Sequence, residues 1–222
     1  MKNKVRHISF IMDGNNRWSK KKNLSLNITY KKGVKKLIDL SNYCFLNHGI
    51  TYISAFALSS HNLSRSKILL NSIFKILEEF INEFLINNHK YNFNIIFIGN
   101  FTIFNKNIRY GINKINNSKI HKNNLIIALN YSGTEDIENA SKLFNQNKNS
   151  KLKFHNFLRT SAFPNPDIII RTGGFQRLSD FFLFQSSFTE LFFSKSLWPD
   201  FSIKQIDSIL KNFLNIKRKF GK

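Results

Sequence analysis

The feature that most constrains the fold is an alternation of short apolar runs with longer segments of helical periodicity. Such runs are typical of buried strands, and the helical segments between them are the crossovers that parallel strands require. The predicted strands are residues 7–12, 51–58, 94–99, 124–130, 167–171 and 190–193. A first predicted helix follows the turn at residues 13–16. The other predicted helices occupy residues 30–48, 68–86, 105–120, 135–145 and 203–219, and an Asn/Lys-rich loop is predicted at 145–153. The sequence therefore predicts an α/β fold, a single domain over residues 1–222 with a six-stranded, mostly parallel β-sheet flanked by helices.

The net charge of +21 favours anionic partners, which include nucleic acid, an acidic membrane surface and phosphorylated small molecules. Lys, Asn, Ile and Phe are frequent throughout the chain, apparent loops included. Compositional drift that leaves a solvated basic surface is therefore favoured over a dedicated anion-binding patch as the explanation of much of this charge.

The single cysteine, Cys44, has no partner for an internal disulfide and lies in an apolar helical pattern. The chain shows neither the pattern of a signal peptide nor a run of about 20 apolar residues. We therefore expect a cytoplasmic protein, and the charge leaves open a peripheral contact with an anionic membrane.

Ligands of parallel α/β sheets bind at the carboxyl ends of the strands, which directs attention to the loops that follow them. Four polar loops begin there, at residues 13–18, 59–65, 130–133 and 171–179. These loops are the predicted site.

The first loop places a carboxylate, a glycine, two amides and a guanidinium at a turn from strand to helix, in Asp13-Gly14-Asn15-Asn16-Arg17. Backbone N–H groups at such a turn can bind phosphate, and Asp13 could bind Mg²⁺, which takes one or two carboxylates and completes its shell with substrate phosphates. A capped turn with a buried Asp explains this loop, taken alone, equally well. The sequence differs from the nucleotide-binding Gly-rich loop, so a nucleoside triphosphatase is disfavoured.

The last loop contains two arginines around a glycine pair, in Arg171-Thr172-Gly173-Gly174 followed by Arg177 and Ser179. The guanidinium fork matches the oxygens of a phosphate group. Either arginine alone could belong to a surface salt bridge, but the two together in the predicted crevice favour an anion site.

Five motifs, in order along nearly the whole chain, carry a resemblance to a known family. They are His7-Ile8-Ser9-Phe10-Ile11-Met12-Asp13-Gly14-Asn15 with Arg17-Trp18; Ser59-Ser60 with Asn62 and Arg65; Ile127-Ala128-Leu129-Asn130-Tyr131; Ile170-Arg171-Thr172-Gly173-Gly174; and Glu190-Leu191-Phe192-Phe193 through Leu197-Trp198-Pro199-Asp200-Phe201. The chain resembles the cis-prenyltransferases, and among them the bacterial undecaprenyl diphosphate synthases.

The resemblance implies a homodimer that condenses isopentenyl diphosphate onto a farnesyl-type allylic diphosphate with cis stereochemistry. The expected product is a long polyprenyl diphosphate, such as the undecaprenyl carrier of cell-wall synthesis, and the expected cofactor is Mg²⁺. Residues 68–86, whose broad apolar face is also explained by core packing, become a candidate wall of the product tunnel.

The resemblance also implies residue roles. Asp13 is expected to engage Mg²⁺ and the allylic diphosphate, Glu190 to be a second metal-associated carboxylate, and Asn62 to lie where the proton is removed. Because an amide is a poor base, Asn62 is expected to orient substrate or water while diphosphate takes the proton. The implied substrate-binding residues are Gly14, Asn15, Asn16, Arg17, Trp18, Tyr30, Ser59, Ser60, His61, Arg65, Arg171, Arg177, Leu178 and Ser179.

The chain departs from the family pattern at several of these positions. Asn16 replaces a glycine, Leu26 and Tyr30 replace an arginine and a histidine, and His61 and Leu63 replace a glutamate and a tryptophan; Phe175 replaces an acid, Thr134 an arginine, and Lys219-Phe220-Gly221 an Arg-x-Gly tail. The two cationic donors replaced by Leu26 and Tyr30 should each weaken diphosphate binding by about 1.5–3 kcal/mol when lost, unless something compensates. The sequence predicts an active enzyme whose rate or specificity is altered.

Two other functions stay open. A basic RNA-binding protein would explain the charge, but no RNA-binding motif is recognisable and a carboxylate at a phosphate site is unexpected there, so nucleic acid is not an expected partner. A non-catalytic partner subunit of a prenyltransferase is favoured by Leu26 and His61 and disfavoured by Asp13.

Overall fold

A computed structural model of the protein describes residues 4–64, 66–147 and 151–218. The predicted substrate contact at Arg65, the tail at 219–221 and part of the predicted loop at 145–153 lie outside the described residues.

The described chain contains one six-stranded sheet in the order β3-β4-β2-β1-β5-β6, and all five strand pairings are parallel. The predicted α/β class and the six-stranded sheet are thereby confirmed. The strands are β1 His7–Ile11, β2 Tyr52–Ser59, β3 Asn94–Gly99, β4 Asn124–Tyr131, β5 Ile168–Arg171 and β6 Glu190–Phe193.

Six α-helices connect and follow the strands: α1 Asn15–Lys22, α2 Leu26–Asn47, α3 Lys67–Asn87, α4 Lys106–Asn116, α5 Gly133–Gln146 and α6 Ile203–Asn215. Short 3-10 helices lie at Ser60–Ser64, Asn88–Lys90, Phe154–Phe157 and Trp198–Asp200.

Three helix ends differ from the prediction by four residues. Helix α2 begins four residues earlier than predicted, because the Ser25 side chain accepts a hydrogen bond from the Ile28 N–H and caps the first turn. Helix α4 ends at Asn116 and not at residue 120, because the Asn94 side chain accepts hydrogen bonds from the backbone N–H groups of residues 120 and 121. Helix α6 ends at Asn215.

Strands β1 to β5 are largely buried on both faces, as the strands of parallel sheets usually are. Helices α2, α3, α4 and α6 pack on one face over a core that includes Phe10, Ile53 and Phe97. On the other face, Phe181 and Phe182 of the segment between β5 and β6 cover Ile11, Ile126 and their neighbours. This packing fixes the carboxyl ends of β1, β2 and β5, which carry three of the four predicted site loops.

None of the helices in the described ranges is long and apolar enough to cross a membrane.

Candidate functional site

Asp13 stands at the centre of the site, two residues after the end of β1 and in the turn that leads into α1. Its Oδ2 accepts a hydrogen bond from Arg171 Nη2 at 2.8 Å, and its Oδ1 lies 3.2 Å from Arg17 Nη2. Its backbone oxygen accepts from the Thr172 hydroxyl at 2.7 Å and from the Trp198 N–H at 3.0 Å. The carboxylate is thus fixed by the chain yet remains partly exposed, with 28% of its side chain accessible.

The turn after Asp13 requires a glycine and directs the first N–H groups of α1 outward. Gly14 has φ +109°, and a Cβ there would lie 2.8 Å from the Leu197 side chain. The side-chain N–H of Asn15 donates to the Met12 oxygen, and Asn16 and Arg17 are exposed in the first turn of α1. Unpaired N–H groups at a helix start attract anions.

Arg171, at the carboxyl end of β5, is buried although it is charged. Its guanidinium donates to the Arg177 backbone oxygen, to Ser179 Oγ at 2.7 Å and to Asp13 Oδ2. Its Nε is buried and has no hydrogen-bond partner in the described part of the chain. An unpaired buried N–H on a charged group is costly, so this donor suits an anionic ligand.

The loop after β2 lines the same cavity as Asp13 and Arg171. Ser59 Oγ accepts a hydrogen bond from the His61 N–H, and His61 Nε2 lies 3.3 Å from Asp180 Oδ2. The Asn62 side chain faces the same cavity. The structure therefore brings the loops after β1, β2 and β5 together.

Asp180 joins the loop after β2 to the predicted loop at 130–133. Burial acts to raise the pKa of its carboxyl group, but hydrogen bonds from Ser132 and Thr134 and the contact with His61 outweigh burial, so the pKa lies below its usual value. Gly133 N–H donates to the Asp180 backbone oxygen at 2.7 Å. The loop at 130–133 thus supports the site from behind.

Two cavities meet at this site. The polar one is lined by Asp13, Ser59, His61, Asn62, Arg171, Phe175, Arg177, Ser179 and Asp180, together with Ile11, Met12, Phe56 and Ala57. The second is almost entirely apolar and runs between α2, α3 and the sheet; its lining includes Asn15, Tyr30, Val34, Leu37, Ile73, Ile76, Leu77, Phe80, Phe97 and Trp198. Met12, Phe56 and Ala57 line both. The two connected cavities, one polar and one apolar, fit a ligand with an anionic head group and a hydrocarbon tail.

The residues present are compatible with Mg²⁺. Asp13 offers a partly exposed carboxylate in the polar cavity, and Mg²⁺ commonly takes one or two carboxylates and completes its octahedron with water and phosphate oxygens. No cluster of three or more His, Cys, Asp or Glu side chains is found among the described residues, so substrate phosphates would supply the remaining ligands.

The comparisons with known proteins agree with this geometry. A family model described as "Putative undecaprenyl diphosphate synthase" matches residues 11–221. The chain belongs to this prenyltransferase family.

Individual members of the family match over the full length of the chain. An isoprenyl transferase of Helicobacter pylori is 34% identical over 233 residues, covering 100% of this chain and 98% of the relative. A crystal structure of lavandulyl diphosphate synthase from Lavandula x intermedia, in complex with dimethylallyl diphosphate, superposes with a TM-score of 0.85 at 28% identity and covers 98% of both chains. The crystal structure of a probable undecaprenyl diphosphate synthase from Campylobacter jejuni superposes with a TM-score of 0.83 at 27% identity, and the match covers 99% of this chain and 100% of that protein's chain.

Most of the predicted site residues of this prenyltransferase lie around the two cavities. Asp13, Ser59, His61, Asn62, Arg171, Arg177 and Ser179 line the polar cavity, and Asn15 and Tyr30 line the apolar one. Gly14, Asn16 and Arg17 lie in the adjoining turn, Ser60 follows Ser59 at the cavity edge, and Leu178 packs into the core behind the arginine loop.

Trp18 is placed differently from the prediction. The resemblance implies that it packs against substrate, but its side chain is buried, its indole N–H donates to Asp200 Oδ1 at 2.8 Å, and it lines neither cavity. The indole faces the Trp198–Asp200 turn because it is on the inner side of the short helix α1. Its position favours a role in holding that helix.

Glu190 is far from Asp13 within one chain, and the metal-associated role that the resemblance implies for it stays a prediction. It is the first residue of β6 and pairs with Ile168, which in turn pairs with Ile8 of β1. Ile8 lies three residues, about 10 Å, before the carboxyl end of β1, and Asp13 lies beyond that end. The two carboxylates therefore lie at opposite ends of the sheet, and a shared metal role for Glu190 could be met only by a second chain.

Sequence reasoning missed two residues of the prenyltransferase site. Asp180 follows the predicted loop directly, yet nothing in its spacing distinguishes it from a surface acid. Phe175 was noted only as a departure from the family pattern, because a phenylalanine gives no signal of an anion site. Both line the polar cavity.

Proposed function

We propose that this protein is a Mg²⁺-dependent cis-prenyltransferase that condenses isopentenyl diphosphate onto a farnesyl-type allylic diphosphate to make a long polyprenyl diphosphate. The observation that carries the proposal is the junction of the two cavities at Met12, Phe56 and Ala57. A diphosphate bound by the arginines would place its tail in the apolar cavity.

In this proposal the allylic diphosphate lies at the turn after β1, near Asp13, Arg17 and the first N–H groups of α1. Mg²⁺ bound there would neutralise charge on the leaving diphosphate. Arg17 and the helix start add positive charge where the C–O bond breaks, which stabilises the departing anion.

Isopentenyl diphosphate would lie at Arg171, Arg177 and Ser179. Its terminal carbon bonds to the allylic C1 as the C1–O bond breaks, and a proton leaves C2 as the new double bond forms. Asn62 lines the cavity and accepts no proton at neutral pH, so its role would be to orient substrate while the released diphosphate takes the proton.

The length of the product is the finer part of the proposal. Family members named for different products share this fold: the lavender structure is a lavandulyl diphosphate synthase, and the Campylobacter jejuni structure is a probable undecaprenyl diphosphate synthase. The apolar lining from α2 and α3 favours a long tail, such as that of undecaprenyl diphosphate in cell-wall synthesis.

The homodimer is also a proposal, and the exposed edge of the sheet supports it. Strand β6 is an edge strand, and large apolar side chains are exposed on and before it: Leu183, Phe184, Phe188, Leu191 and Phe193. Exposed edges and apolar patches favour association. Size-exclusion chromatography with light scattering should give twice the chain mass, and a monomer at micromolar concentration would contradict the proposal.

A peripheral contact with an anionic membrane is supported by the charge of +21 and by Lys20, Lys21 and Lys22 beside the exposed side chains of Leu24 and Ile28. Co-sedimentation with vesicles that contain anionic lipid, and not with neutral vesicles, is the expected result. Equal sedimentation with both would exclude an electrostatic contact.

The experiment that tests the proposed reaction is incorporation of labelled isopentenyl diphosphate into extractable product, with farnesyl diphosphate and Mg²⁺. Product should form with the wild type and disappear with EDTA or with Asp13→Ala. Folded wild-type protein that makes product only with an added second protein would support the partner-subunit alternative.

A further inference from the structure

The aromatic ring of Phe175 lies among the three guanidinium groups of the site. The guanidinium carbon is 4.5 Å from the ring centroid for Arg177, 5.0 Å for Arg17 and 5.8 Å for Arg171. All three distances fall within the range of a cation–π contact. Phe175 is 44% exposed, so core packing does not explain its position.

The three arginines depend on this ring to different degrees. Arg171 is buried and held by Asp13 and Ser179, and Arg17 also contacts Asp13. The Arg177 side chain has no hydrogen bond or ion pair to any residue the structure describes, and its guanidinium lies over the ring of Phe175. Arg177 is therefore the guanidinium whose orientation depends most on Phe175.

The backbone holds Phe175 at the cavity edge. Gly173 N–H donates to the Ser196 oxygen at 2.7 Å, and Gly174 N–H donates to the Ser194 oxygen at 2.9 Å. Both glycines have positive φ, +86° and +84°, so the chain turns sharply just before Phe175. The ring is thus presented to the arginines by a fixed loop.

We propose that Phe175 is a positioning residue that orients Arg177, and to a lesser degree Arg17, for binding the diphosphate group of the substrate. This inference rests on the proposed function. The ring attracts guanidinium groups without neutralising their charge, whereas a carboxylate at this position would form ion pairs with them and compete with the diphosphate. An arginine that is already oriented loses less freedom when the anion binds.

Calorimetric titration of the full-length protein with inorganic pyrophosphate in the presence of Mg²⁺ tests the proposal. Phe175→Leu, which removes the ring, should raise the Kd about five- to tenfold, and Phe175→Tyr should stay within about twofold of the wild type. Phe175→Glu should bind more weakly than the wild type. The matched control is Phe144→Leu, the same exchange at a partly exposed phenylalanine on α5 that packs on Phe154 and Phe157, and its Kd should be unchanged.

Kinetics and stability separate positioning from a merely structural role. Phe175→Leu should raise the KM for isopentenyl diphosphate by a similar factor and leave kcat within about twofold, because the contact acts equally on bound substrate and transition state. Its thermal midpoint should match that of the wild type. A lower kcat with an unchanged KM would overturn the proposal.

The outcomes distinguish this inference from the proposed function. If the wild type binds pyrophosphate and Phe175→Leu binds it equally well, or if Phe175→Tyr fails to retain affinity, the inference is wrong and the diphosphate site stands. If the wild type binds no pyrophosphate, the proposed function fails, and the inference fails with it.

Discussion

The substitution Gly173→Ala has a closely matched control in Gly174→Ala, the same exchange at the next residue. The φ angles of the two glycines are +86° and +84°, so alanine at either position costs a similar amount in the left-handed region, about 1–2 kcal/mol. Their surroundings differ. A Cβ at Gly173 would lie 2.5 Å from Arg17 Nη2 and 3.1 Å from Asp13 Cβ, whereas a Cβ at Gly174 would have no atom within 4 Å.

Gly173→Ala should therefore damage the site as well as the backbone. Arg17 is a flexible side chain and would move aside, losing its 3.2 Å contact with Asp13 and its place over the ring of Phe175. A hydrogen bond to a charged group contributes about 1.5–3 kcal/mol. Because Arg17 is half-exposed, solvent screening favours the lower end of that range. We expect a loss of roughly tenfold in kcat/KM for Gly173→Ala and less than about twofold for Gly174→Ala.

Two measurements check this prediction. Urea denaturation should show both variants destabilised by the strained backbone, and Gly173→Ala destabilised further because it also loses the Arg17–Asp13 contact. Steady-state incorporation of isopentenyl diphosphate, at a temperature where both remain folded, should show that only Gly173→Ala loses activity. Equal activity in the two variants would refute the placement of Arg17 and Asp13 against this loop.

Three further predictions concern the pH dependence of stability, the length of the product and the role of Trp18. Burial lowers the pKa of His7 to about 4 from its usual 6.5, so the unfolded chain binds the proton more tightly than the folded one. The contribution of neutral His7 to the free energy of unfolding should be fully present above pH 6.5 and fall by up to about 3 kcal/mol as the pH drops to 4. Urea titrations should show this loss in the wild type but not in His7→Gln. Ala57→Phe should block the junction of the cavities, so chromatography should show shorter products, and unchanged product length would place the tail elsewhere. Trp18→Phe removes the N–H that donates to Asp200, so it should lower the free energy of unfolding by about 1–3 kcal/mol and change KM little. A large rise in KM would instead support the substrate contact of Trp18 that the resemblance implies.

The sequence predicted the architecture well because the signals were local. Runs such as residues 94–99 are apolar, short and bounded by polar residues, and β3 has the bounds that were predicted. The rule that ligands bind at the carboxyl ends of parallel strands then selected the loops containing Asp13, Asn62 and Arg171, and the structure places all three at one cavity.

The remaining features depend on contacts between distant segments. The direction in which Trp18 points is set by Asp200, 182 residues later, and the end of α4 is set by Asn94. Glu190 was predicted to begin a strand and does so, but its separation from Asp13 became clear only from the strand order and register. Phe175 acquires its significance from three arginines, two of which are on the same loop and one of which is on α1.

The central claim is that Asp13 and the arginines around it bind the diphosphates of two prenyl substrates that this chain joins. The most direct test is transfer of labelled isopentenyl diphosphate to farnesyl diphosphate with Mg²⁺ by the wild type and by Asp13→Ala, with Asp39→Ala, an exposed acid on α2, as the control. The account predicts a polyprenyl product with the wild type and with Asp39→Ala, and none above background with Asp13→Ala. Folded wild-type protein that forms no product with any allylic primer, or an Asp13→Ala variant as active as the wild type, would contradict it.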